Sequence, residues 1–174
     1  ETGNVFVRWP GMGTEKPLIV SAHLDTVFPM ETTLRVSRGS DLIHGPGLGD
    51  NSLGVAALFG LLWYLRERQI PLRGDVWFVA NVCEEGLGDL RGVKALFNDT
   101  LKGQIDRFVS VDGTGLGVSH IAVGSHRYRV TFKGPGGHSY GAFGLVNPAY
   151  AMGAAIAKFS QIQVPQTPKT TYNV

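Results

Sequence analysis

Apolar positions fall along this chain in runs of distinct spacing, and each spacing predicts an element. Leu18, Ile19 and Val20 follow one another without a polar break, and residues 76–82, VWFVANV, are almost continuously apolar. Such runs mark strands covered on both faces of a sheet. Residues 107–111, RFVSV, predict a third buried strand, and residues 5–9 predict a strand that turns at Pro10-Gly11. The period changes over 52–69. There Val55, Leu58, Leu62 and Leu65 share one helical face, and Arg66, Glu67 and Arg68 close the segment. Much of the opposite face is apolar too, which predicts a largely buried helix. Residues 90–97 predict a second helix, and 34–43 a short hairpin. Strands alternating with helices argue for an α/β fold with a mainly parallel central sheet and helices on both faces.

The pattern changes after about residue 124. SHRYRVTFKG alternates polar and apolar, as a half-exposed strand does. GPGGHSYGAFG is a glycine-rich loop, 147–159 predicts a helix, and PQTPKTTYNV begins a further strand. These elements make the first half of a small antiparallel α+β unit. The expected division is therefore 1–124 for the α/β domain and 125–174 for the second unit.

Composition narrows the function classes. Of 174 residues, 43% are hydrophobic and 17% charged, enough apolar material for a core and too much for disorder. The formal charge is +2, and no basic run interleaves with aromatics, so nucleic acid is not an expected partner. The longest uncharged apolar run, 53–65, is shorter than the ~20 residues that span a bilayer, so no membrane partner is expected. Cys83 is the only cysteine and forms no internal disulfide. That favours a reducing compartment and a cytoplasmic location. The opening, ETGNVFVRWPG, reads like the middle of a strand, as if the sequence starts inside a domain.

The candidate chemistry lies at the strand ends. Ala22 leads to His23 and Asp25, Val82 to Cys83, Glu84 and Glu85, and Val111 to Asp112. Asp50 sits in the loop GPGLGD just before the long helix. Open parallel sheets bind ligands at the carboxyl ends of their strands. Neighbouring strands would bring His23, Asp50, Glu84, Glu85 and Asp112 into one pocket. So many carboxylates repel one another and lose solvation there, and a cation resolves the conflict. One imidazole among carboxylates suits zinc, with cobalt or manganese as alternatives. The number of acids suggests two ions, which favours hydrolysis by a metal-activated water.

Taken singly, each motif is weak. A lone His-x-Asp is more often structural, and Glu-Glu is usually a solvated turn. GPGLGD lacks the Gly-Lys-Ser/Thr ending of a phosphate loop, and its acid would repel phosphate. Together, at successive strand ends, the motifs are much more specific. His44, His120 and His126 have no motif around them. Cys83 reads as a packed small residue, because no histidine base lies near it in sequence.

The motifs SAHLDTVFP, GPGLGDNSLG, CEEG, SVDG and GPGGHS, in this order and spacing, resemble the co-catalytic zinc peptidases and deacylases of clan MH: carboxypeptidase G, aminoacylase, acetylornithine deacetylase and tripeptide aminopeptidase. The resemblance implies a zinc-peptidase catalytic domain followed by the first half of a ferredoxin-like lid or dimerisation domain. It implies that His23 and Asp112 bind one zinc, that Glu85 binds another and that Asp50 bridges both. Asp25 would orient the imidazole of His23, and Glu84 would be the general base. It also implies a cis peptide between Asp50 and Asn51. His138 matches a lid histidine that, in dimeric members, enters the neighbouring subunit's site and stabilises the oxyanion. The implied substrate is a peptide or an N-acyl amino acid, and the implied partner a second copy in a homodimer. Two rival readings are an N-deacylase of a small metabolite and a non-catalytic fragment that keeps the fold. Family members carry a further zinc-binding histidine after the lid. This sequence stops before that point, so by itself it is expected to bind at most one zinc tightly and to lack hydrolase activity.

Overall fold

The computed structural model describes residues 3–174, which divide into two compact units, the first ending at Val118 and the second running from Ser119 to Val174. The division precedes the sequence boundary at 124/125. In the first unit, β1 (Val5–Trp9), β2 (Glu15–His23), β5 (Gly74–Asn81) and β6 (Arg107–Ser110) form one sheet in the order β1-β5-β2-β6. β2 runs parallel to both β5 and β6, and β1 closes the other edge antiparallel to β5. The ribbon predicted over 34–43 is a two-residue antiparallel pair, β3 (Ser37–Arg38) with β4 (Ile43–His44).

Helices cover both faces of the sheet because strand side chains alternate. Val20, Ala22, Val76 and Phe78 point to one face and pack against Leu58 and Leu65 of α1 (Leu53–Arg68). Ile19 and Val79 point to the other and pack against Leu96 and Leu101. Leu96 opens a wide π-type turn (Leu96–Thr100) that continues α2 (Arg91–Ala95). The single helix predicted over 90–97 is thus a short α-helix running into a wider turn.

Two burial expectations are corrected. Of α1, Gly54, Leu58 and Leu65 are buried, whereas Phe59 and Trp63 are 71% and 67% exposed. One helix buries one stripe against one sheet, and no other described element of the first unit covers its other side. β6 is largely exposed because it is an edge strand, bonded only to β2. With its preceding turn, the α1 segment Leu48–Arg68 reaches 21 residues at a mean hydropathy of 1.2, long and apolar enough to cross a membrane. Asp50 and Asn51 nevertheless have non-helical backbone there, and Leu58 and Leu65 pack on the sheet.

In the second unit, α3 (Pro148–Phe159) begins one residue inside its predicted range. The Asn147 side chain caps it, accepting from the Ala149 N–H at 2.8 Å, and Pro148 suits the first helical position. Phe159 meets Tyr172 edge-on at 4.9 Å, and the Tyr172 hydroxyl donates toward the Ser160 and Ile162 carbonyls. The strands expected in SHRYRVTFKG and PQTPKTTYNV are not formed. A strand needs a hydrogen-bonded neighbour, and none of the described residues supplies one.

Candidate metal centre

Parallel pairing of β2 with β5 and β6 brings three strand ends together. His23 lies opposite Asn81 in the ladder, and the Val111 N–H extends the β2–β6 pairing by donating to the Ser21 carbonyl at 2.7 Å. Beyond these ends come Glu84 and Glu85 on one side of His23 and Asp112 on the other. Asp50 arrives in the π-type turn Leu48–Ser52, and the Asp50–Asn51 peptide is cis. Two groups of potential ligands result, each with its atoms within 4.8 Å of one another: His23 with Asp50 and Asp112, and His23 with Glu84 and Glu85. Among the described residues, Asp50 and Glu85 fall in separate groups.

The His23 ring is the centre of both groups and is 2% exposed. Its Nδ1 lies 2.8 Å from the Asp25 backbone carbonyl. A carbonyl only accepts, so Nδ1 carries the proton and a neutral ring keeps a lone pair on Nε2. Nε2 is buried without a hydrogen bond, yet Asp50 Oδ1 is 2.8 Å away and Asp112 Oδ1 3.6 Å. A lone pair and a carboxylate oxygen at that distance repel unless a proton or a cation lies between them. Burial lowers the His23 pKa, but the Asp25 carbonyl and the Asp112, Glu84 and Asp50 carboxylates outweigh it and leave the pKa raised. The same field that holds a proton there attracts a metal ion. One imidazole and four carboxylates form a donor set for zinc, cobalt or manganese, so the residues fit the ions that the sequence implied.

Asp25 holds its neighbours differently from the expectation. Its backbone carbonyl orients the imidazole, whereas its carboxylate lies 3.8 Å from Nδ1. The carboxylate instead accepts the N–H groups of Glu84 at 3.2 Å and Glu85 at 2.9 Å. Burial pushes the Asp25 carboxyl up, but the Glu85 and Glu84 N–H groups outweigh it and hold it below its ordinary value. One residue therefore fixes the ring through its main chain and the Glu84–Glu85 turn through its side chain. That turn is bent sharply, with Cys83 at φ 62°. Burial raises the Glu84 pKa, with Glu85, Asp112 and Asp25 adding to the rise and His23 opposing it.

Cys83 Sγ is 3.6 Å from the Arg91 guanidinium, and both line an open cavity of about 650 Å³ with Leu24, Asp25, Glu85 and Leu87. His138 belongs to the second unit, where its Nδ1 accepts from the Tyr140 and Gly141 N–H groups at 3.3 and 3.4 Å. His44 lies in the β3–β4 ribbon, and His126 stacks on Tyr128. Among the described residues, His23 is the one histidine in either ligand group. Sequence reasoning missed Asn51, 1% exposed, whose side chain bonds Val111 and Gly54. The only signal was an amide directly after the acid in GDNS.

Known proteins carry related sequences and folds. Two vacuolar membrane proteases, from Candida tropicalis and Candida dubliniensis, are each 30% identical over 118 residues, covering 67% of this chain. The match takes in only 11% of the length of either relative. Their names place those proteins at a membrane and lend no support to a cytoplasmic location. The crystal structure of aminopeptidase PepT from Bacillus cereus matches at a TM-score of 0.51 and 26% identity, over 65% of this chain and 30% of that one. This agrees with the α/β architecture and with part of a peptidase catalytic domain. The profile of peptidase family M28 matches residues 4–142, most of the sequence and all five ligand candidates. The chain belongs to peptidase family M28, one of the clan MH zinc peptidases.

Proposed function

We propose that this chain carries the catalytic centre of a metal-dependent peptidase that cleaves an amide bond with water, Glu84 serving as general base. One observation carries the reading: the buried, unbonded Nε2 of His23, faced by carboxylates from separate strand ends. His23, Asp50 and Asp112 would hold one divalent ion, zinc foremost. Glu85 would contribute to a second. Ions held there would supply Lewis acidity toward the scissile carbonyl and the attacking water.

The chain's own groups do the rest. Glu84 takes the proton from the attacking water and delivers it to the leaving amine. Asp25 holds the Glu84–Glu85 main chain in place while the proton moves. His138 accepts at Nδ1, which leaves an Nε2–H free to stabilise an oxyanion. In this reading it serves the site of a second copy within a homodimer. The substrate is a peptide or an N-acyl amino acid. Zinc titration of the full-length protein carrying this chain, with a panel of dipeptides, tripeptides and N-acyl amino acids, tests the proposal. Tight zinc binding with zinc-dependent turnover is the expected result. No zinc affinity and no turnover would overturn it.

A further inference from the structure

We infer that Asn51 is a positioning residue that sets the spacing of the His23–Asp50–Asp112 group; this rests on the metal-centre reading above. Asn51 directly follows Asp50 and is 1% exposed. Its Nδ2 donates to the Val111 carbonyl at 2.8 Å, and Val111 directly precedes Asp112. Its Oδ1 accepts the Gly54 N–H at 3.0 Å, tying the same side chain to the first turn of α1. The Val111 N–H in turn donates to Ser21 on β2, two residues before His23.

A single buried amide thus links the segments that bear Asp50 and Asp112, across 60 residues of sequence, and the Val111 N–H carries that link on to the strand of His23. The site is closely fitted: a Cβ on Gly54 would run into Asn51 Oδ1 and the Val111 carbonyl. An amide is the side chain that can serve both ends, because it donates from nitrogen and accepts at oxygen. Aspartate has nearly the same shape but cannot donate, and it would set a carboxylate oxygen against the Val111 carbonyl. Residues that orient metal ligands from behind typically affect ion affinity by about 10–100-fold.

The test compares the intact wild-type protein with Asn51→Asp and Asn51→Ala. Zinc affinity is read by competition with a chromophoric chelator, and thermal stability is read without metal. Zinc affinity in Asn51→Asp should fall about 10–100-fold. Turnover should recover at saturating zinc; the metal-free melting temperature should fall, because a buried carboxylate would face the Val111 carbonyl, and zinc affinity is read well below that temperature. Asn51→Ala should lose zinc affinity at least as far. A loss under fivefold in Asn51→Asp overturns the inference, as does a fallen melting temperature with zinc affinity intact. Absence of zinc affinity in the wild type would overturn the metal-centre reading itself, and this inference with it.

Discussion

Glu84 and Glu85 are adjacent and chemically identical, yet the proposed mechanism gives them different tasks. A base is needed for chemistry and a ligand for metal, so isosteric amides separate them. Glu84→Gln should lower kcat by about 10²–10⁴-fold, the usual worth of a positioned proton-transfer group, with zinc content near wild type. Glu85→Gln should release zinc first and lose activity in consequence. Metal analysis beside kcat decides the assignment: zinc loss in Glu84→Gln with zinc and activity kept in Glu85→Gln would reverse the two roles.

Among the elements, α1 and the strand pairs hold the site, and each has a weak point. Gly54 lies where α1 meets the end of β6, and the added methyl of Gly54→Ala would strike Asn51 Oδ1 and the Val111 carbonyl. Such overpacking costs about 1–3 kcal/mol. Chemical denaturation should show that loss despite the higher helix propensity of alanine. At the sheet edge, Arg8 on β1 pairs with Asp75 on β5 at 2.6 Å, and Asp75 also accepts the Gly11 N–H at 3.0 Å. The Arg8 hydrogen bond, with help from Gly11, holds the Asp75 carboxyl below its ordinary value. The stabilisation from this lowered pKa is present above the unfolded-state value of 3.8 and is lost as the pH falls through the lower folded-state value. Asp75→Asn should therefore melt below wild type at neutral pH, with the gap closing below pH ~4. A gap that stayed constant to pH ~2 would show that proton linkage at Asp75 contributes nothing.

For the whole molecule, the proposed action of His138 on a second copy would make a homodimer part of the active site. Mixing His138→Ala with Glu84→Gln subunits should restore activity that neither variant has alone. If His138 acts across subunits, a hybrid dimer would assemble one site with both good residues. Native mass spectrometry would confirm subunit exchange. Exchange without recovered turnover would mean that His138 does not act across subunits.

The local pattern of this sequence is enough to show β2, β5 and α1, because apolar runs and helical spacing are properties of neighbours in the chain. It also marks His23, Asp25, Asp50, Glu84, Glu85 and Asp112, because short acidic motifs after buried strands are legible without coordinates. What lies across the chain is not. Parallel pairing of β2 with β5 and β6 decides that three strand ends meet, and long-range register is not written in any one segment. Tertiary structure gives Asp25 its task, since its carboxylate accepts from amides 59 and 60 residues away while its main-chain carbonyl makes the hydrogen bond to His23. It leaves one face of α1 and most of β6 open, although their composition reads as core, because burial depends on what packs above a residue. It leaves SHRYRVTFKG unpaired, because alternation supplies a face but not a partner strand. Asn51 shows the difference most sharply. In sequence it is one amide after an acid; in the fold, two hydrogen bonds from a buried side chain join helix, turn and strand at the ligand group.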